Sequence, residues 1–248
     1  SPPRRGRAHE FISVQESAMK FFETIGKILS RYPSFFVEGV GNTLIIAAFS
    51  VLLGTILGTL MAVMRMGKIA PLRWIAVGYI EFIRGTPLLV QLMFIFYGLP
   101  MIGVKIPDVA WIPNFSRFAA GVIAMSMNSC AYVAEVIRSG IQAVDPGQME
   151  AARSVGFPSG MAMRLVVLPQ AIKNILPALG NEFVTVIKES SIVSVIGIAD
   201  LMFRTNDVIA ATYKTLECLA VAAVIYFVMT FLSSRLISLA ERKLSHGK

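Results

Sequence analysis

Charge is scarce in this chain: only 15% of its 248 residues are Asp, Glu, Lys or Arg, against roughly 25% in an ordinary soluble domain. Cysteine and histidine are rarer still. Cys130 and Cys218 are far apart and lie in apolar surroundings, which excludes a disulfide framework or a cysteine metal site and leaves them as small buried hydrophobes. His9 and His246 sit near opposite ends, so no histidine cluster exists to bind metal or catalyse. The sequence has no G-x-x-x-x-G-K-[ST] phosphate loop and no nucleophile–base constellation, so nothing in it is built to hydrolyse ATP or act as an enzyme. What it has is apolar mass, with 55% hydrophobic residues and a mean hydropathy of +0.68. That composition describes an all-α polytopic membrane protein. The net charge of +8 falls mostly on basic residues flanking apolar runs, which meet lipid headgroups rather than nucleic acid.

Five segments, near 42–64, 76–100, 118–137, 171–197 and 216–239, are long enough to cross a hydrocarbon core that needs about 20 helical residues. Arg65, Lys68 and Arg73, then Arg138, Arg153 and Arg164, then Arg242, Lys243 and Lys248 follow the first, third and fifth spans. By the positive-inside rule those three regions are cytoplasmic, placing the N-terminus outside and the C-terminus inside. The outer loops, near 101–117 and 198–215, carry Asp108, Asp200 and Asp207. Arg4, Arg5, Arg7, Lys20, Lys27 and Arg31 run against this assignment. They belong to a separate segment, residues 1–40, in which Phe11, Val14, Ala18, Phe21, Ile25, Ile28 and Tyr32 recur every three or four residues. This predicts one amphipathic helix, lying in the membrane interface or packed on the bundle. Residues 41–248 form the membrane domain. Within its first span Gly54 and Gly58 make a G-x-x-x-G pair suited to close helix packing.

The polar interruption between the third and fourth spans, about 140–170, has its own punctuation. Asp145-Pro146-Gly147 is helix-start chemistry, Glu150-Ala151-Ala152-Arg153 are good helix formers, and Gly156 suits a left-handed stop. Phe157-Pro158-Ser159 begins a second helix, and Leu168-Pro169 returns the chain to the bilayer. The spacing predicts a helix–turn–helix knob on the cytoplasmic side.

Glu150-Ala151-Ala152, then Gly156, then Val166, Leu168 and Pro169 together resemble the "EAA" loop of permease subunits in bacterial ATP-binding-cassette importers. Val166 stands where isoleucine is usual. Three further stretches are similar to the polar amino-acid permeases of that family: Phe82-Ile83-Arg84-Gly85-Thr86-Pro87-Leu88-Leu89-Val90-Gln91, Asn128-Ser129-Cys130-Ala131-Tyr132-Val133-Ala134-Glu135 and Leu179-Gly180-Asn181-Glu182-Phe183. The likeness runs from about residue 40 to the C-terminus. It implies a multi-pass protein of the bacterial cytoplasmic membrane and one half of a dimeric pore, whether homo- or heterodimer. It also implies two cytoplasmic ATPase subunits that bind the ATP and Mg, an extracytoplasmic solute-binding protein, and a polar amino acid as cargo. By resemblance, Glu150, Ala151, Ala152, Gly156, Leu168 and Pro169, with Asp145 and Arg153 of the same knob, belong to the ATPase-coupling interface.

Intramembrane polar residues are costly and mark function by default. Glu182, Thr185 and Glu189 fall at i, i+3 and i+7, on one helical face, and Asn128 in the third span adds an amide. Such a face suits a zwitterion's ammonium group or a cationic side chain. It suits equally a structural ion pair, or a proton relay in a secondary carrier or channel. The acidic groups lean toward a basic amino acid, the alternative being that they bind only the α-ammonium of a neutral polar or amide one. Glu81 with Arg84, and Glu135 with Arg138, are expected to pair locally at i, i+3, and Gly85-Thr86-Pro87 loosens the helix between the flanking runs. Lys188 calls for a carboxylate on a neighbouring helix or subunit.

Overall fold

The computed structural model describes residues 4–109 and 114–245. The side chains of residues 4–14 and 243–245, and so those of Arg4, Arg5, Arg7, His9, Phe11, Val14 and Lys243, lie outside the description, as do His246 and Lys248 altogether. Among the described residues every regular element is helical. In chain order they are α1 (Arg4–Arg31), α2 (Pro33–Met66), α3 (Ala70–Arg84), α4 (Leu88–Met93), α5 (Leu99–Met101), α6 (Phe115–Gln142), α7 (Pro146–Ser154), α8 (Ser159–Ala162), α9 (Leu168–Glu189), α10 (Leu201–Thr212) and α11 (Thr215–Ser245). π-helical segments join α4 to α5 over Phe94–Gly98 and α8 to α9 over Met163–Val167, and a 3-10 segment, Ser190–Ile196, follows α9.

Helices α2, α6 and α11 are long and apolar enough to cross a membrane by themselves. The expected second span, 76–100, is not straight. It is a broken pair, α3 followed by α4–α5, bent by 107° at Gly85-Thr86-Pro87, because a proline there donates no N–H to continue the ladder. Helix α9 is the fourth expected segment, and its charged residues Lys173, Glu182, Lys188 and Glu189 hold its apolar content below that of the other three.

The central packing is α2 against α6. Lipid offers no hydrophobic drive for helices to associate, so close approach of small residues must supply it. A Cβ added to Gly54 would stand 2.8 Å from the Ser129 Cβ, and one on Gly58 would stand 2.8 Å from the Cys130 carbonyl oxygen. The glycine pair therefore packs within this chain. Around it, Ile46, Ala47, Leu92, Met125, Ile187, Val193 and Leu201 form the buried core.

One feature differs from the sequence expectation. The stretch 198–215 is no open loop but contains α10, and Asp200 is wholly buried as its N-cap, accepting from the backbone N–H groups of Met202 (3.2 Å) and Phe203 (2.9 Å). The Tyr226 hydroxyl donates to the same carboxylate at 3.3 Å, while Asn42 donates to the Ala199 carbonyl at 2.7 Å. The segment is thus pinned between α2 and α11, which four residues of local pattern cannot disclose. In α1, Ile28 is buried in the core with Ile25 and Tyr32 beside it, while Met19, Phe22 and Leu29 stay exposed. The apolar arc is shared between the bundle and its surroundings.

Candidate functional site

The polar face of α9 forms as its spacing requires. Glu182 and Thr185 are half-buried, Glu189 is exposed at the last position of the helix, and the two carboxylates are separated by roughly 10 Å along the axis. Glu182 lies fourteen residues beyond Leu168, well inside α9 rather than at its beginning. Its Oε1 accepts from the Ser129 hydroxyl of α6 at 2.8 Å. Among the described residues no ion pair engages Glu182 or Glu189, and Lys188 is exposed and bridges to no carboxylate. A carboxylate at a helix C-terminus faces the partial negative charge of the free carbonyls. Glu189 therefore favours a cation beside it.

Asn128 does not join that face directly. Adjacent residues on a helix point about 100° apart, so while Ser129 turns to α9, Asn128 turns to α4, where its Nδ2 donates to Gln91 Oε1 at 3.1 Å. Gln91 escapes a sequence reading because the amide it accepts from stands 37 residues away, although it closes a motif already singled out. Its Nε2 lies 2.8 Å from the Ile83 carbonyl and 3.0 Å from both the carbonyl and hydroxyl oxygens of Thr86. Ser129 escapes for the same reason.

Below this layer the expected local pairs are rearranged. Glu81 and Arg84 do not pair. Arg84 reaches Glu135 of α6 at 3.6 Å and stacks 5.7 Å from the Tyr132 ring, while Glu81 lies 4.0 Å from Arg65 of α2. Glu135 does pair with Arg138 at 2.8 Å, yet it also binds Arg65, and its side chain is only 15% exposed. It is a partly buried hub for three arginines from three helices, where an isolated surface pair was expected.

The knob matches its punctuation. Asp145 Oδ1 accepts from the Gly147 N–H at 2.8 Å, opening α7. Gly156 has φ of +97°, and the bonds Gly156 N–H to Arg153 O (3.0 Å) and Phe157 N–H to Ala152 O (3.1 Å) complete a Schellman stop. Ala152 is buried, packing into the knob, whereas Glu150, Ala151, Arg153 and Val155 are exposed. Val144, Val167, Ala171 and Ile175 form a small core under it, with Met149 and Met163 alongside. Gln170 donates to Gln148 at 3.2 Å, which links the knob to the root of α9, where Leu168 and Pro169 start the helix. The arrangement can carry a push on α7 into the helix that bears Glu182 and Glu189.

Residues 54–246 match the profile of a family described as "Binding-protein-dependent transport system inner membrane component". The chain is 44% identical to the arginine transport system permease protein ArtQ of Bacillus subtilis strain 168, over 85% of this chain and 92% of that protein. It is 42% identical to the putative glutamine transport system permease protein GlnP of Rickettsia conorii, over 88% and 97% respectively. A crystal structure of an amino acid ABC transporter with histidines superposes with a TM-score of 0.80 at 51% identity, covering 87% of this chain and 96% of that one.

Proposed function

The chain belongs to the family of inner-membrane components of binding-protein-dependent transport systems, and from that membership we propose that it is the permease subunit of an ATP-binding-cassette importer for polar amino acids, basic ones foremost. The observation that carries the cargo assignment is the α9 face of Glu182, Thr185 and Glu189, whose two carboxylates form no salt bridge among the described residues, the adjacent Lys188 acting on Glu189 only through its charge. An ammonium or guanidinium group supplies what the face lacks. Asn128, one position from Ser129 on α6, orients the neighbouring helix.

Residues Asn181, Lys188 and Glu189 are open on the isolated subunit, which fits a pathway completed by a second permease subunit across α9. Glu150, Ala151 and Arg153 on the knob's outer side offer the surface for a cytoplasmic ATPase subunit, with Asp145 and Gly156 fixing the ends of α7. Ala152 shapes that surface from beneath. In this reading α9 is the fourth span of a multi-pass inner-membrane protein, the knob is cytoplasmic, the N-terminus lies outside, and an extracytoplasmic solute-binding protein delivers the cargo.

The test is uptake by the assembled transporter with its ATPase and binding protein in proteoliposomes, offered basic, amide and acidic amino acids in competition. Basic cargo is expected to win, and the Glu182→Gln/Glu189→Gln pair to lower its uptake at least tenfold. Preference for acidic cargo, or full uptake of basic cargo by the double variant, would overturn the assignment.

A further inference from the structure

The hydrogen bonds around Gln91 admit only one arrangement. Thr86 Oγ1 lies 2.9 Å from the Phe82 carbonyl, which accepts and cannot donate, so the hydroxyl proton is directed there. Gln91 then faces two carbonyl oxygens and a hydroxyl oxygen already spent as a donor, so its amide NH2 must point at them. Its Oε1 is left for Asn128, which must present its own NH2. Neither amide can be reversed without setting oxygen against oxygen. Gln91 is 8% exposed and Asn128 7%, so water cannot readily replace these bonds.

The two carbonyls that Gln91 binds, Ile83 and Thr86, lie at the break at Gly85-Thr86-Pro87, where the helix turns by 107°; that of Ile83 also accepts across the turn itself, from the Thr86 N–H at 3.4 Å. On the other side of the break Arg84 is held by Tyr132 and Glu135. Asn128, Tyr132 and Glu135 fall at i, i+4 and i+7 on α6, so one stripe of that helix grips the elbow from both sides. The next residue after Asn128 is Ser129, which holds Glu182.

We propose that Gln91 is a positioning residue for transport. It sets the angle of the α3–α4 elbow and ties that angle, through Asn128, to the turn of α6 that contacts the cargo-facing carboxylate. The inference rests on the transport reading above. Gln91 touches no cargo; it fixes the elbow in one of the arrangements between which the bundle alternates, so its loss uncouples cargo engagement from helix movement.

The experiment compares wild type, Gln91→Leu, Asn128→Leu and the double variant as complete transporters with ATPase and binding protein in proteoliposomes, reading KM and maximal rate of ATP-driven uptake and cargo-stimulated ATP hydrolysis. Gln91→Leu is expected to lower the maximal rate at least tenfold with KM within threefold of wild type, and to abolish stimulation of hydrolysis by cargo. The double variant should be no worse than the poorer single one, because both break the same link. Where Gln91→Leu does not assemble, Thr86→Val, which removes one acceptor and spares both carbonyls, decides: a drop of about threefold in maximal rate at constant KM supports the assignment, and an unchanged rate overturns it. Normal maximal uptake by Gln91→Leu, or losses that multiply in the double variant, also overturn it. Absence of any amino-acid uptake by wild type would instead remove the transport reading itself.

Discussion

Two of the glycines at which helices end, Gly156 and Gly85, break the chain in opposite ways. At Gly156 the stop is local: a positive φ of +97°, with open space where a side chain would stand and both Schellman bonds within five residues. At Gly85 φ is −87°, a value open to any residue, but an added Cβ would meet the Glu81 carbonyl oxygen at 2.9 Å. The bend there is held from outside by Gln91, Arg84 and the stripe on α6. A local stop gives the knob a rigid end to be pushed upon, whereas a bend held by tertiary contacts can take a second angle when those contacts change.

Removing the acid at the centre of the elbow's clamp should have the largest effect. Glu135→Ala leaves Arg65, Arg84 and Arg138 facing one another. Partial exposure of the arginines reduces the cost below that of a buried pair, to about 2 kcal/mol, visible as a lower unfolding temperature in detergent. An unchanged midpoint would show that the hub holds nothing.

Alanine and asparagine scans of the two glycines sharpen the contrast. Gly156→Ala should cost about 1 kcal/mol from left-handed strain alone, with Gly156→Asn recovering much of it. At Gly85 both substitutions should be equally harmful, since crowding and not conformation is the obstacle. Equal rescue at both sites would erase the distinction. A smaller effect belongs to the knob's start: Asp145→Ala loses a cap worth about 1 kcal/mol, which should appear as faster amide exchange confined to the first turn of α7. Fast exchange spreading into α9 would contradict it.

The least effect is expected at Asp108, outside the spans, whose carboxylate accepts from the Ser116 N–H at 2.9 Å and is held below the usual aspartate range by that bond. A lowered folded-state value means that its small contribution is complete above the ordinary range near pH ~3.9 and is lost as pH falls through the lowered value. Asp108→Asn should flatten that acid-side slope and leave neutral-pH stability unchanged within roughly a degree.

The same contrast explains what the sequence disclosed. The knob was legible because Asp145, Gly156 and Leu168-Pro169 act through bonds to near neighbours, and a close helix approach because Gly54 and Gly58 declare it in themselves, though not that the approaching helix is α6. The α9 face followed from spacing. The elbow's angle, the role of Gln91 and the hub at Glu135 were hidden, since their partners stand 37 and 70 residues away. Local rules therefore paired Glu81 with Arg84, where the fold gave each a partner on another helix. Asp200 was read simply as part of an outer loop for a like reason: its burial comes from α2 and α11, not from its neighbours in sequence.

The central claim is that this permease is driven from the knob and has no drive of its own. Its most direct test is uptake by proteoliposomes holding either this chain alone under a pH gradient or the full complex with ATP at the ATPase face and no gradient. The account expects accumulation only in the second case, and its loss on Gly156→Ala with assembly in the membrane retained. Gradient-driven uptake by the chain without ATP or an ATPase subunit would contradict it and make Glu182 and Glu189 a proton relay.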